Sequence, residues 1–486
     1  MTNKQHRIAL LIEQGFGARA IIQTDILKTL VENGLEPVIL TSGTNSIKTY
    51  LNTTAFHDIP VHKLETDQYD RNSNQTINRI LRMVRLFSLK TRTVSDLFKM
   101  EIEDSKNHQN FNNKVVISIV RLLVLVAKLH PAIIHAFVSL ENKLSLVKAN
   151  QTFFETFEPD VLLTTSLGTF DHDAYVLREA TNRSIKTISY ILSWDNTTVR
   201  GFGTDLTSHI ITWSEIMKTE LITLHHKKPD MIYVGGVPHY DSYHEPSKLW
   251  TRKELHYHLD IPEKKHIILL GTKSPNTYQS NPYIAKLICE TIKSNPELDD
   301  YILLVRLHPI YFRTSGTTLS TEQNEWDALL QQYGTELIAV DYPEIIGNDL
   351  RYFMPEEEII KLGSILKHSK VVVNMFSTLN IESSIFNTPT VNVCFQDNTL
   401  KPNSYKVARF DIDADERQTH NQRVLKNDAT MVAYDAHQLQ KYICDSVNNP
   451  HIKQTGRRKL AQAECGENLG NAGLHIGRKI VELSTS

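Results

Sequence analysis

Two short stretches in the second half of the chain combine residue types suited to an anionic ligand. Val305-Arg306-Leu307-His308-Pro309 offers a guanidinium and an imidazole. Asn374-Met375-Phe376-Ser377-Thr378, running on to Glu382, offers two hydroxyls and a carboxylate. His308 precedes a proline, which drives it into an extended backbone, and Pro309 denies the ladder a donor, so a strand must stop there. Arg306, two residues earlier, falls on the same strand face as His308. An imidazole titrating near about pH 6.5 can donate to a phosphate or protonate one as it departs. Ser377 and Thr378 are helix-capping residue types, and a helix start presents free N–H groups to anions. Glu382 comes four residues after Thr378, on the same helical face, where it can accept from ribose hydroxyls. Each stretch also has a plainer reading: a strand-ending histidine, and a capped helix with a solvated glutamate. Their co-occurrence favours a phosphate-bearing ligand.

Both stretches close apolar, strand-like runs, Tyr301–Val305 and Val371–Val373. In an open α/β sheet the residues just past the carboxyl ends of the strands line the ligand crevice. The start of the chain reads as strand Arg7–Ile12, a glycine loop Gln14–Arg19, helix Ile21–Glu32 ended by Asn33-Gly34, and strand Pro37–Leu40. Gly15 and Gly17 lack the third glycine and the acidic residue of a dinucleotide fingerprint, so a close turn is expected there. Residues 65 to 145 read as mainly helical. From Ile77 the apolar spacing predicts a core-packing helix whose arginines, Arg79, Arg82 and Arg85, form a solvated cationic face; a basic helix of this kind can also lie on anionic lipid. Strand–helix alternation resumes at Val161, pauses in the polar stretch His239–Lys264, and restarts at His266. The expected class is α/β: two Rossmann-like domains facing each other across a cleft. Residues 1–234 form the first, with a helical insertion at about 65–150; 235–265 link it to the second, 266–465, and a helix occupies 466–486.

Composition narrows the possibilities. A length of 486 residues exceeds what one core usually holds. A net charge of −2 argues against a nucleic-acid binder. Four scattered cysteines support neither a disulfide scaffold nor a zinc site, which fits a reducing cytoplasm. Ile8–Ile12 is too short an apolar run for a secretory signal. Val115–Leu140 is apolar but interrupted by Arg121, Lys128, His130 and Pro131, so a surface or buried helix is expected rather than a span. Asp171-His172-Asp173 and Asp411-Ile412-Asp413 with Asp415 offer oxygen ligands, but read as a helix cap and a solvated loop. His225-His226 and the pair His256 and His258 lack companion ligands and read as surface residues. No metal or other cofactor is expected.

The segments Val305–Pro309 and Phe376-Ser377-Thr378 with Glu382 resemble the C-terminal half of GT-B glycosyltransferases of bacterial surface polysaccharides. They are similar to the HP and Ser/Thr motifs of CMP-sugar-dependent sialyl- and Kdo-type transferases and to CDP-glycerol glycerophosphotransferases. Ser193-Trp194-Asp195-Asn196, Val234–Pro238 with Asp241, and the tail from Gly466 through Gly477 to Ile480 look like the same group. Leu307 stands where the glycerophosphotransferases tend to have proline. The resemblance implies a C-terminal donor domain in which Arg306 and His308 contact the nucleotide phosphate, Ser377 and Thr378 hydrogen-bond it, and Glu382 takes the ribose. Gly271 and Thr272 would let backbone amides approach. It further implies an acceptor in the N-terminal domain, with Glu13 or Asp195 as general base beside His308. The implied activity is metal-independent transfer of a sugar from a CMP- or UDP-linked donor to a glycan or lipid-linked acceptor, in the cytoplasm or peripheral on the inner membrane face. Alternatives are glycerophosphate transfer from CDP-glycerol, epimerisation of a nucleotide sugar, and a non-catalytic scaffold of polysaccharide assembly.

Overall fold

Each of the two strand-rich series builds a fully parallel sheet. The structure, a computed structural model, describes residues 6–107, 111–170, 172–275, 277–312, 318–399 and 412–485. The first sheet contains β1 (Arg7–Ile12), β2 (Glu36–Thr41), β3 (Val61–Lys63), β4 (Val161–Thr164), β5 (Lys186–Tyr190), β6 (His209–Thr212) and β7 (Ile232–Val234), in the order β3-β2-β1-β4-β5-β6-β7. The second contains β8 (His266–Gly271), β9 (Tyr301–Arg306), β10 (Ile338–Asp341), β11 (Ser369–Asn374), β12 (Thr390–Val393) and β13 (Met431–Ala433), in the order β10-β9-β8-β11-β12-β13. Runs such as Ile267–Leu270 and Val371–Val373 are fully buried. That is why they are continuously apolar: helices cover both faces of a parallel sheet. The architecture is α/β with two Rossmann-like units.

The chain divides into two compact units that do not follow its linear order. The first comprises residues as far as Asp241, together with Ile346–Phe353 and Cys465–Ser486; the second comprises Ser242–Ile345 and Met354–Glu464. The stretch 235–265 contains the short 3₁₀ helix Pro238–His244 and helix Arg252–His258, with the change of unit after Asp241.

Helix Ala472–Thr485 belongs to the first unit and lies along helix Asp25–Glu32. A side chain at Gly477 would meet Thr29 Cβ at 2.6 Å, so glycine permits the two backbones to approach. Asp241 caps this last helix from outside, accepting from the amides of Ala472 at 2.9 Å and Gly473 at 2.7 Å. These amides have no intrahelical acceptor. Burial pushes the Asp241 carboxyl up to about 6, against the pull of those amides. The Gly235–Pro238 stretch, Asp241 and the tail are therefore parts of one packing device.

Several sequence expectations require correction. The glycine loop is helical, Gly15–Ile21, and a second helix, Asp25–Glu32, starts where Thr24 Oγ1 accepts from the amide of Ile26. Gly15 is required because a side chain there would meet Phe353 N at 2.2 Å, and its amide donates to the Arg351 carbonyl. The arginines of helix Thr76–Phe87 do not form one solvated face: Arg85 is buried. His225 and His256 lie in the interior rather than at the surface, bonded to the carbonyls of Thr197 and Pro262. Asp171 and Asp411 lie outside the described residues.

Replacing Gly477 by leucine should lower the stability of the chain by about 1–3 kcal/mol, the cost of overpacking a closed contact. Urea unfolding measures this directly; an unchanged midpoint would mean that the two helices do not need their close approach.

Candidate functional site

Strand order reverses between β8 and β11 in the second sheet, and residues at such a switch point border the ligand crevice. Thr272 follows β8, His308 follows β9, and Ser377 and Thr378 follow β11. These strands are neighbours, so the sequence-selected residues of the second unit gather at one sheet edge. The amide of His308 donates to Thr272 Oγ1 at 2.8 Å, joining two of the tips. His308, Ser377 and Thr378 are partly exposed.

The turn from β11 into helix Leu379–Ile385 is held by three buried asparagines that sequence reasoning missed. Asn374 Oδ1 accepts from the Ser377 amide at 2.9 Å, and its amide group donates to Asn380 Oδ1 at 3.1 Å. Asn392 Oδ1 accepts from the Phe376 amide at 3.0 Å. Phe376 adopts φ +49°, a left-handed conformation costing a non-glycine residue about 1–3 kcal/mol unless its surroundings impose it. The asparagine bonds impose it, and Ser377 and Thr378 emerge immediately afterwards. Ser377 Oγ then accepts from the Leu379 amide at 3.3 Å. A buried asparagine just after an apolar strand run is the signal that could have revealed this network.

Three residues expected to touch the ligand are occupied elsewhere. Arg306 is 8% exposed and its guanidinium pairs with Asp341 and, at 2.7 Å, with Glu358. Lys361 completes a neutral quartet, 2.9 Å from Asp341 and 2.5 Å from Glu358. Burial raises the Asp341 carboxyl, yet Arg306 and Lys361 hold it below its usual range. Arg306 therefore braces β9 and β10 rather than binding phosphate. Glu382 is 4% exposed and accepts from Tyr243 Oη at 2.7 Å and Thr378 Oγ1 at 3.0 Å, so its oxygens serve the helix rather than a ribose. A side chain at Gly271 would meet Leu379 Cδ1 at 2.1 Å, so helix packing, not an approaching ligand, occupies that space. Lys273 pairs with Asp415, which removes that aspartate from the expected solvated loop.

In the first sheet the switch point falls between β1 and β4. Glu13, just past β1, accepts from His172 Nδ1 at 2.9 Å, and His172 Nε2 lies 3.1 Å from Asp70 Oδ1. The Glu13 side chain is only 8% exposed, whereas that of Asp70 is well exposed. Asp195 follows β5, and its carbonyl opens the short helix Asn196–Val199 by accepting from Thr198 and Val199. Asp173 is buried and accepts from Ser166. His172 entered the sequence reading only as part of a metal motif; its partner Glu13 lies 159 residues away.

No family model matches the chain, and no curated protein does. Solved structures do. UDP-bound MnaA of S. aureus superposes with a TM-score of 0.54 at 10% identity, covering 99% of this chain and 97% of the other. The UDP-GlcNAc 2-epimerase of Neisseria meningitidis, bound to UDP-GlcNAc, gives 0.52 at 11% identity, covering 98% and 100%. The fold is of the GT-B type. At these identities the likeness concerns the fold alone.

Arg306→Ala should destabilise the protein by about 3–5 kcal/mol, because it strands two buried carboxylates beside one lysine. Chemical denaturation tests this. Full stability combined with weakened nucleotide binding would instead restore Arg306 to the ligand.

Proposed function

We propose that the chain is a nucleotide-sugar-dependent glycosyltransferase of surface-polysaccharide type, its second unit binding a uridine or cytidine nucleotide donor. The observation that carries this reading is the convergence of Thr272, His308, Ser377 and Thr378 at the switch point of the second sheet. The imidazole and the Thr272 hydroxyl are the donors offered to a phosphate. Ser377 Oγ and Thr378 Oγ1, which donate to Asn374 Oδ1 and Glu382 Oε1, would have to turn from those partners to join them. His308 is the group that meets the departing nucleotide's charge. The ligands of two fold neighbours, UDP on MnaA and UDP-GlcNAc on an epimerase, support a UDP-type donor. The resemblance to HP-motif transferases rests on His308-Pro309 and the Ser377-Thr378 pair.

In the first unit Glu13 fixes the His172 ring through Nδ1, leaving Nε2 as the atom an acceptor hydroxyl could reach when it displaces the exposed Asp70. Proton removal is therefore assigned to the Glu13–His172 pair ahead of Asp195. Epimerisation is the second reading, favoured by the neighbours' names; it would interconvert UDP-linked sugars and consume no acceptor.

Incubating the chain with UDP-, CMP- and CDP-activated donors and following nucleotide release separates these activities. Transfer predicts acceptor-dependent release. His308→Ala and His172→Ala should each lower it by about 10²–10⁴-fold without changing the melting temperature, whereas Asp195→Ala should leave most of it. Conversion of UDP-GlcNAc without release would establish the epimerase, and turnover indifferent to both histidines would remove them from the chemistry.

A peripheral membrane contact also forms part of this reading, and we place it on the helix Phe111–Ala127 ahead of the basic helix Thr76–Phe87, whose Arg85 is buried. Of thirteen exposed large hydrophobic side chains among the described residues, seven fall between Val115 and Leu144, so the exposure is concentrated in one stretch of chain. Leu122, Leu125 and Leu129, at 63, 61 and 74% exposed, follow helical spacing on and just beyond helix Phe111–Ala127. Lys114, Arg121 and Lys143 are exposed beside them, and the single acid of residues 111–144, Glu141, is buried. Apolar insertion flanked by cations suits an anionic bilayer surface. Among the described residues no helix is long and apolar enough to cross a membrane. Co-sedimentation should rise with the anionic lipid fraction and fall for the double variant Leu122→Glu, Leu125→Glu; binding insensitive to both changes would refute the surface.

A further inference from the structure

Arg85 and Arg178 share one counter-ion in the interior of the first unit. Arg85 Nε donates to Glu141 Oε2 and Arg178 Nη2 to Glu141 Oε1, both at 2.7 Å. All three residues are only 2–3% exposed. The remaining bonds of the two arginines go to neutral acceptors: Arg85 Nη1 to the carbonyls of Gly168 and Phe202, and Arg178 Nε to Asn142 Oδ1. Burial would raise the Glu141 carboxyl, but the two guanidiniums hold it below its usual range, so it remains an anion. Two cations thus face one carboxylate, and a buried charge left over costs several kcal/mol unless something compensates it.

The excess charge borders open space. A cavity of about 430 Å³ is lined by Arg85, Arg178, Arg79 and Arg82, and its acidic lining residues are Glu101 and Glu141. Four cations against two carboxylates leave the wall two positive charges in excess. Arg79 donates to Asn113 Oδ1 at 2.9 Å, while Arg82 has no hydrogen-bonding or ion-pair partner among the described residues. Asn78, also in the wall and 3% exposed, has its Oδ1 buried without a hydrogen-bond donor among the described residues. The lining is therefore cationic, with an unsatisfied acceptor suited to a hydroxyl.

We propose that this cavity binds a phosphate ester of a sugar-sized alcohol, its phosphate held by Arg82 and the Arg85–Arg178 pair and a hydroxyl reaching Asn78. Arg82 can offer its guanidinium fork to two phosphate oxygens, while Arg85 and Arg178, whose other nitrogens are bonded to Glu141, Gly168, Phe202 and Asn142, add charge and one terminal nitrogen each. The volume exceeds what a bare phosphate needs and falls in the range of about 300–1,000 Å³ typical of small-molecule sites. The cavity wall includes Thr169 and Phe170, three and two residues before the Glu13-bound His172 in sequence. All lining residues belong to the first unit, so the binding claim does not rest on the nucleotide reading of the second.

Calorimetric titration of the full chain with glucose 1-phosphate, inorganic phosphate, glucuronate and glucose tests the proposal. Glucose 1-phosphate should bind, more weakly as salt rises, and at least about tenfold tighter than glucose. Arg82→Ala should weaken it by about tenfold or more, the loss of one charge-assisted contact, with unchanged melting temperature and unchanged UDP binding. Arg82→Gln serves in its place if the alanine variant fails to fold. Absence of phosphate-ester binding, equal binding by the variant, or a preference for glucuronate would each overturn the proposal. Failure of UDP to bind the parent protein would count against the nucleotide site alone.

Discussion

Where the order of strands reverses in an open parallel sheet, the connections on either side leave toward opposite faces and a gap opens at the carboxyl ends. Both sheets of this chain obey that constraint once. In the second sheet the reversal lies between β8 and β11, bringing Thr272, His308 and the Ser377-Thr378 pair to one edge although more than a hundred residues separate the first from the last. In the first sheet it lies between β1 and β4, and Glu13 and His172 meet there. Polar side chains are tolerated at these edges because the backbone ladder has ended and the apolar layers no longer enclose them.

What holds the edges in place is polar and buried. The neutral quartet of Arg306, Lys361, Asp341 and Glu358 fastens the end of β9 to β10 and to helix Glu356–His368. Asn374, Asn380 and Asn392 impose a strained turn that fixes where Ser377 and Thr378 emerge. Networks of this kind favour rigidity because removing one member leaves another buried and unsatisfied. The residues facing outward can then remain few and uncharged.

The strands were the most legible elements. A parallel sheet covered on both faces demands uninterrupted apolar runs, and Ile267–Leu270, Tyr301–Val305 and Val371–Val373 supply them. β3, only Val61–Lys63 at a sheet edge, left no comparable mark. Among the site residues, position past a strand end was readable and occupancy was not. Arg306 looked available because its acceptors lie 35 and 52 residues downstream. Glu382 looked available because Tyr243, which donates to it, lies 139 residues away. Similarly, the arginine spacing after Ile77 showed a basic helix, but only the fold shows Arg85 turned inward onto Glu141. Local pattern specifies which face a residue occupies; a charge's partner is a property of the tertiary arrangement.

The chain changes units after Asp241, Ile345, Phe353 and Glu464, and the late segments supply parts that the first unit cannot form from its opening residues. Ile346–Phe353 seals the backbone at Gly15, and helix Ala472–Thr485 covers helix Asp25–Glu32 with its first amides held by Asp241. During ribosomal synthesis the opening βα series therefore waits, with that helix uncovered, until residues 465–485 have emerged. The second unit has all of its residues before the first does, which reverses the usual order in which nascent domains mature.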